Sequence, residues 1–215
     1  SVPTDQTDGQ KPFALPLEPG FLYSKELLQG AIPELLEQTG ISGKQFAQLL
    51  IRSYQEINRN RFPDLEKAAE EVGNKKFPLD HNDLKRLYKK NGLKIKWFNQ
   101  KTTEITPQAR NKTLLRSFFE SPSEVYVNNA LKKDPARLKY DLSVHLGHKI
   151  LHQGDGLRSA ITSGGNEFGA KDQNLAATGN VHSRDVLSAW HDFESSFFAG
   201  ALLCPKKPFY RFLVR

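Results

Sequence analysis

Methionine is absent from all 215 residues, and cysteine occurs once, at Cys204. A single thiol excludes an internal disulfide and is too few for a cysteine-held iron–sulfur cluster; it fits a reducing, cytoplasmic setting. At the end of a helix such a thiol is expected to be a small buried hydrophobe. With no methionine, and with the aromatic and basic ending FYRFLVR, the chain reads as an excised domain or processed product. No apolar run approaches the roughly 18–20 residues of a membrane span. The opening SVPTDQTDGQKP lacks the apolar centre of a secretory signal. Internal repeats are missing too, and the glycines of ITSGGNEFGAKDQN do not form a phosphate-binding loop.

What is present is ordinary for a globular chain: 38% hydrophobic and 26% charged residues, with a net charge of +7. The basic excess is local. Leu84 to Arg116 contains ten Lys or Arg and one acid, Glu104. Such a block is either a solvated face or an attractor of nucleic acid, acidic lipid or a phosphorylated ligand.

Prolines 12, 16 and 19 make residues 1–19 an extended lead. Residues 20–91 read as helical. Phe46, Leu49, Leu50, Tyr54 and Ile57 recur at helical spacing and predict one buried face. PDLEKAAEEVG opens on Pro63 and stops at Gly73; a further helix starts at an aspartate cap and ends at Asn91-Gly92. From there the period becomes alternating. Leu93, Ile95 and Trp97 share one face of a strand, with Lys94 and Lys96 on the other. LLRSFFE and SEVYVNN predict a hairpin around Ser121-Pro122. Asp134-Pro135 opens a helix that runs to about His152. Residues 153–182 are rich in Gly, Asn, Ser and Asp and read as mostly loop. SRDVLSAWHDFESSFFAGALL is the last helix, stopped by Pro205.

YDLSVHLGHKILH, from Tyr140 to His152, carries the clearest chemical signal. His145, His148 and His152 fall at i, i+3 and i+7, on one face of a helix. His191, Asp192 and Glu194 lie on the later helix expected to pack opposite. The order of these blocks, with Val125 to Leu131, Leu142 to His152 and Glu194 to Pro205 as the matching motifs, resembles the ImmA/IrrE family of zincin-like domains. The resemblance covers roughly Leu84 to Tyr210. It implies an α+β fold, a degenerate zincin-like domain over residues 92–215 in which a small sheet packs with helices, preceded by the helical region 20–91.

The departures carry the functional reading. Val144 stands where the family has its first histidine ligand, and His145 where it has the general-base glutamate; only His148 keeps its place. A zincin needs three protein ligands, an open position for water, and that glutamate. The resemblance therefore implies a pseudo-enzyme rather than a hydrolase, with no catalytic residue, no cofactor and no resident metal.

One branch of the family consists of bacterial regulators in which a helix-turn-helix precedes the zincin-like domain and short-chain fatty acyl groups are sensed. By that resemblance the chain is a cytoplasmic ligand-sensing domain for a fatty acid or acyl-CoA. It would act as a homodimer, reach DNA through a helix-turn-helix domain outside this chain, and control lipid or glyoxylate-type genes without membrane contact. The expected ligand site is His145, His148 and His191 for the head group, and Phe193, Phe197 and Trp97 for the apolar part. Lys94, Lys96 and Arg116 would form a basic mouth. The same aromatic residues are equally suited to ordinary core packing.

Two alternatives stay open. One is a metal-dependent hydrolase with a rebuilt site of His148, His152, Asp192 and Glu194. The other is direct DNA contact through GISGKQFAQLLIRSYQEINR, whose first helix has a helix-turn-helix look but which continues without the required turn.

Overall fold

The computed structural model describes residues 43–99, 114–120, 122–152, 159–163 and 181–214, with isolated positions 32, 34 and 38. The lead over residues 1–19, Ser121 and most of the Gly-rich stretch 153–182 lie outside the described residues. Among those described, six α-helices and a four-stranded mixed sheet form an α+β fold. The helices are α1 (Gly43–Ile57), α2 (Pro63–Gly73), α3 (His81–Lys90), α4 (Pro135–Leu151), α5 (Val181–Leu203) and α6 (Lys206–Leu213). The strands are β1 (Lys94–Phe98), β2 (Leu114–Glu120), β3 (Glu124–Asn128) and β4 (Ser159–Ser163), in the spatial order β1-β3-β2-β4.

Local chemistry sets the boundaries. The Asp80 side chain accepts from the Asp83 amide at 2.8 Å, and the Asp83 carboxylate accepts from the Asp80 amide at 2.9 Å, a reciprocal box that starts α3. The Lys76 ammonium and then the Asp80 amide hold the Asp83 carboxyl well below the usual carboxylate range. Gly92, at φ +69°, turns the chain from α3 into β1. Asp134 caps α4, accepting from the Arg137 amide at 3.1 Å, with Pro135 in the first turn.

β1 runs parallel to β3, whereas β2 is antiparallel to both β3 and β4. The pairing of β2 with β4 slips between Leu115 and Ser117, a bulge that lets Arg116 and Ser117 both turn towards α4. One sheet face, with Phe119, Val125 and Val127, is buried against α4. On the other, Phe98, Phe118 and Tyr126 form a ladder with ring centroids 5.6 and 4.6 Å apart.

Helix α5 separates two apolar cores. Phe198 and Leu202 join Leu84, Tyr88, Val125 and Leu146 in one. Val186, Leu187, Trp190 and Phe193 join Ala47, Ile51 and Phe62 in the other. Leu84 and Tyr88, from before residue 92, pack directly with the sheet, and the Tyr88 hydroxyl donates to the Leu142 carbonyl at 2.7 Å. The crossing of α4 and α5 depends on Gly147. A Cβ there would meet Ser195 Cα and O at 3.1 Å and Phe198 at 3.0 Å. Gly147→Ala is expected to destabilise by about 1–3 kcal/mol through overpacking, despite the roughly 1 kcal/mol that alanine gains over glycine within a helix. A urea midpoint at or above wild type would contradict this.

Four expectations need correction. The buried stripe of α1 is Ala47 and Ile51 flanked by Phe46, Leu50 and Tyr54, whereas Leu49 (63% exposed) and Ile57 (60%) face away. The stripe is rotated because α5 meets α1 along Ala47 and Ile51. Cys204 is exposed, just past the end of α5, rather than buried. Ser159–Ser163, read as loop, is a strand; SAITS has little apolar signal of its own and gains its ladder from the free edge of β2. Pro205 stops α5 but caps a further helix, α6, whose Phe209 and Phe212 pack edge-on against Phe77.

Candidate functional site at the α4–α5 interface

The histidine face of α4 meets α5 as the spacing predicts, and it divides into a closed half and a more open half. The closed half is a relay. Arg116 holds Asp141 through two nitrogens, with Nε donating to Oδ2 at 3.0 Å. Ser117 Oγ donates to Asp141 Oδ2 at 3.0 Å, and His145 Nε2 lies 2.9 Å from Ser117 Oγ. Asp141, Ser117 and His145 are all fully buried. Burial pushes the Asp141 carboxyl up, against the pull of Arg116 and Ser117.

Proton counting fixes the relay's state. The single hydroxyl hydrogen of Ser117 goes to Asp141, so its oxygen accepts from His145 Nε2–H. Burial first, then the charges of His148 and Arg116, lowers the His145 pKa from 6.5 to about 3, so the ring is neutral. Its Nδ1 is therefore a bare acceptor, with no partner among the described residues. The buried Ser195 Oγ is also without one. Buried polar atoms of this kind are where a ligand or water has hydrogen bonds to make.

The second half holds the remaining imidazoles and acids. His148 Nε2 lies 3.1 Å from Asp192 Oδ1, a charge-pairing distance without hydrogen-bond alignment. Ser159 Oγ, from β4, donates to the same oxygen at 2.8 Å. His152 Nε2 is 3.4 Å from Glu194 Oε2, and its ring stacks on His191 with centroids 3.7 Å apart. Burial raises the Glu194 pKa to about 7, against a hydrogen bond from Trp190.

These residues do not fit a zincin's metal. The residue that the resemblance puts at the first ligand position, Val144, is 3% exposed and apolar. His148 and His152 each face a different acid instead of converging on one point, and among the described residues no group of three or more His, Cys, Asp or Glu is disposed to hold an ion.

The structure brings together part of the predicted ligand set. His145, His148 and His191 share the α4–α5 interface. Arg116 reaches the same place but is committed to Asp141. Phe193 and Phe197 turn to the other side of α5, where they pack edge-on against Phe62 at 5.4 and 4.7 Å. Lys94, Lys96 and Trp97 sit on β1, the edge of the sheet opposite β4. Trp97 is 42% exposed, with Lys132 Nζ 4.7 Å from its ring centroid, and Lys96 is ion-paired to Glu124 at 2.6 Å. Sequence reasoning missed Ser117, Asp141, Ser159 and Ser195. Asp141 had a signal, four residues before His145 on the same helical face; the serines had none.

Compared with family profiles, with curated proteins and with solved structures, the chain matches none.

Proposed function

We propose that this chain is the ligand-sensing domain of a bacterial transcription regulator, in which a catalytically inert, zincin-like α4–α5 site binds a fatty acid or fatty acyl-CoA. One observation carries the inert part. Where a zincin helix has its carboxylate base, His145 is neutral, buried and tied to Ser117, Asp141 and Arg116. A ring that donates through Nε2 and stays neutral to about pH 3 leaves no water-activating carboxylate at that place.

The binding part rests on the other half. With Glu194 neutral below about pH 7, His148 beside Asp192, His152 beside Glu194 and His191 stacked on His152 are the groups that meet an incoming carboxylate or thioester carbonyl. The acyl chain lies between α4 and α5 on the histidine side, and the aromatic group on the far face of α5 ties that helix to α1. Tyr54, Phe62, Trp190, Phe193 and Phe197 make a chain of ring contacts between 4.7 and 6.2 Å. A ligand that shifts α5 against α4 carries Tyr54 and Phe62 with it through these ring contacts and so displaces α1. That displacement is the route by which binding biases a dimer carrying a helix-turn-helix outside this chain.

Trp190 reports on this directly. In a Trp97→Phe background, titration with fatty acids and acyl-CoAs is expected to change Trp190 emission saturably. His148→Ala should raise the dissociation constant roughly tenfold, the loss of one charge-assisted hydrogen bond. An emission that stays unchanged for every chain length would contradict the reading.

A further inference from the structure

Helix α6 has no buried residue. Phe209 and Phe212 pack against Phe77, but Tyr210, Leu213 and Val214 are 68%, 65% and 66% exposed. These three fall at i, i+3 and i+4 and form one apolar row, and the exposed Lys207 and Arg211, four apart, run alongside it. No acid occurs from Lys206 to Val214. The same chain carries a groove of complementary character. About 470 Å³ of space is lined by Glu66 and Glu70 of α2, Tyr140 of α4, and Phe197, Gly200 and Ala201 of α5, and it reaches Cys204 and Lys206 where α5 passes into α6. Phe197, Gly200, Ala201 and Cys204 lie at i, i+3, i+4 and i+7, so one face of α5 makes the floor. That floor is open over Gly200, where a Cβ would meet nothing within 4 Å. Glu66 is held by Lys206, whereas Glu70 has a looser partner in Lys75, at 3.4 Å.

We propose that α6 and this groove are the two halves of an interface between two copies of this chain, each α6 laying Tyr210, Leu213 and Val214 into the groove of the other copy. The signs of charge select that pairing. Lys207 and Arg211 meet a groove lined by two carboxylates, whereas α6 set against α6 would bring the same cations together. The connectivity selects it too. Groove and helix adjoin at Cys204 to Lys206, so a two-fold axis beside that joint lets both exchanges form in one continuous isologous patch. Within one chain the groove stays open, because Lys206 is the one residue of α6 that lines it and Phe209 and Phe212 are turned to Phe77. Two turns of helix and one groove fall short of the roughly 20–30 residues a side of a standard interface, which places the dissociation constant in the micromolar range. The inference stands apart from the α4–α5 ligand reading: none of those histidines takes part, and a failed ligand titration leaves this interface intact.

Sedimentation velocity of the whole chain over a concentration series tests this, and a monomer–dimer equilibrium is expected. Tyr210→Ser/Leu213→Ser, which blunts the helix, and Gly200→Trp, which fills the groove, should each weaken the dimer at least tenfold. At concentrations where the wild type is monomeric, neither should lower the melting temperature, since Tyr210 and Leu213 are exposed and Gly200 has open space above it. Glu70→Lys and Lys207→Glu/Arg211→Glu should each weaken the dimer as well. The three charge reversals combined should restore it, because opposite signs again face each other across the interface. A chain that stays monomeric at every concentration overturns the proposal, as does a dimer that survives either the helix or the groove variant. Failure of the combined reversal to restore the dimer overturns the exchange of α6 into the groove. Monomers that co-sediment with anionic phospholipid vesicles instead of pairing would assign α6 to a lipid surface and overturn it too.

Discussion

Asp141→Asn is expected to cost about 3–5 kcal/mol of folding free energy, the range for breaking one side of a buried ion pair. Asp141 is fully buried and the Arg116 side chain is 12% exposed, so the guanidinium has almost no water to fall back on when the carboxylate goes. The damage spreads along the relay. The amide keeps one oxygen for three donors, Arg116 Nε, Arg116 Nη2 and Ser117 Oγ, so at least one of them loses its acceptor and an NH2 donor is set against it. Removing both charges should be milder than removing one. Asp141→Asn combined with Arg116→Leu is expected to recover part of the loss, because no unpaired cation remains inside. Urea unfolding of the two single variants and the double variant checks this. A loss under about 1 kcal/mol for Asp141→Asn would mean that Arg116 is solvated and the relay is not a closed unit.

The second large effect is a pH dependence in which two groups oppose each other. In the unfolded chain His145 takes a proton near its ordinary value of 6.5, whereas in the fold it resists until about 3. The unfolded state therefore binds more protons over that window, and stability falls as pH drops from 6.5 towards 3, by roughly 4–5 kcal/mol in all. Glu194 has the reverse sign. Its folded pKa of about 7 lies above the ordinary 4.5, so the folded state holds the extra proton and stability falls as pH rises from 4.5 to 7. With a quarter of its side chain exposed, that contribution is discounted to about 2–3 kcal/mol. Between pH 4.5 and 6.5 the two nearly cancel, and the wild-type profile should be flat there. Glu194→Gln removes one side of the balance. The variant should lose about 2–3 kcal/mol on acidification from pH 6.5 to 4.5, measured as urea midpoints at several pH values. A Glu194→Gln profile as flat as wild type would show that His145 is not buried in its neutral form.

Much of this fold is written in the sequence because its elements carry local punctuation. The Asp80–Asp83 box, Gly92, Asp134-Pro135 and Pro205 each mark a boundary by chemistry that acts over a few residues. The histidine spacing on α4 is legible for the same reason, since i, i+3 and i+7 fix a shared face before any partner is known. What the sequence hides is set by partners distant in the chain. β4 is a strand because β2 offers an edge, not because SAITS prefers one. Leu49 and Ile57 belong to a helical stripe by spacing, yet α5 meets α1 one position round. Ser117 shares the inward face of β2 with Phe119, but Arg116 reaches Asp141 beside a bulge, and no pattern in LLRSFFE announces a bulge. Phe193 and Phe197 adjoin the acids of α5 in sequence, yet successive residues of a helix point about 100° apart and the rings face the second core.

The most direct test of the central claim, an acyl-binding site that has lost its metal chemistry, is native mass spectrometry of the purified chain with parallel lipid and metal assays on a denatured sample. The account predicts a chain that carries a fatty acid or acyl-CoA, taken up during expression or on titration, with no stoichiometric zinc. One zinc per chain, with no acyl species retained or taken up, would contradict it and return His148, His152, Asp192 and Glu194 to the role of a metal site.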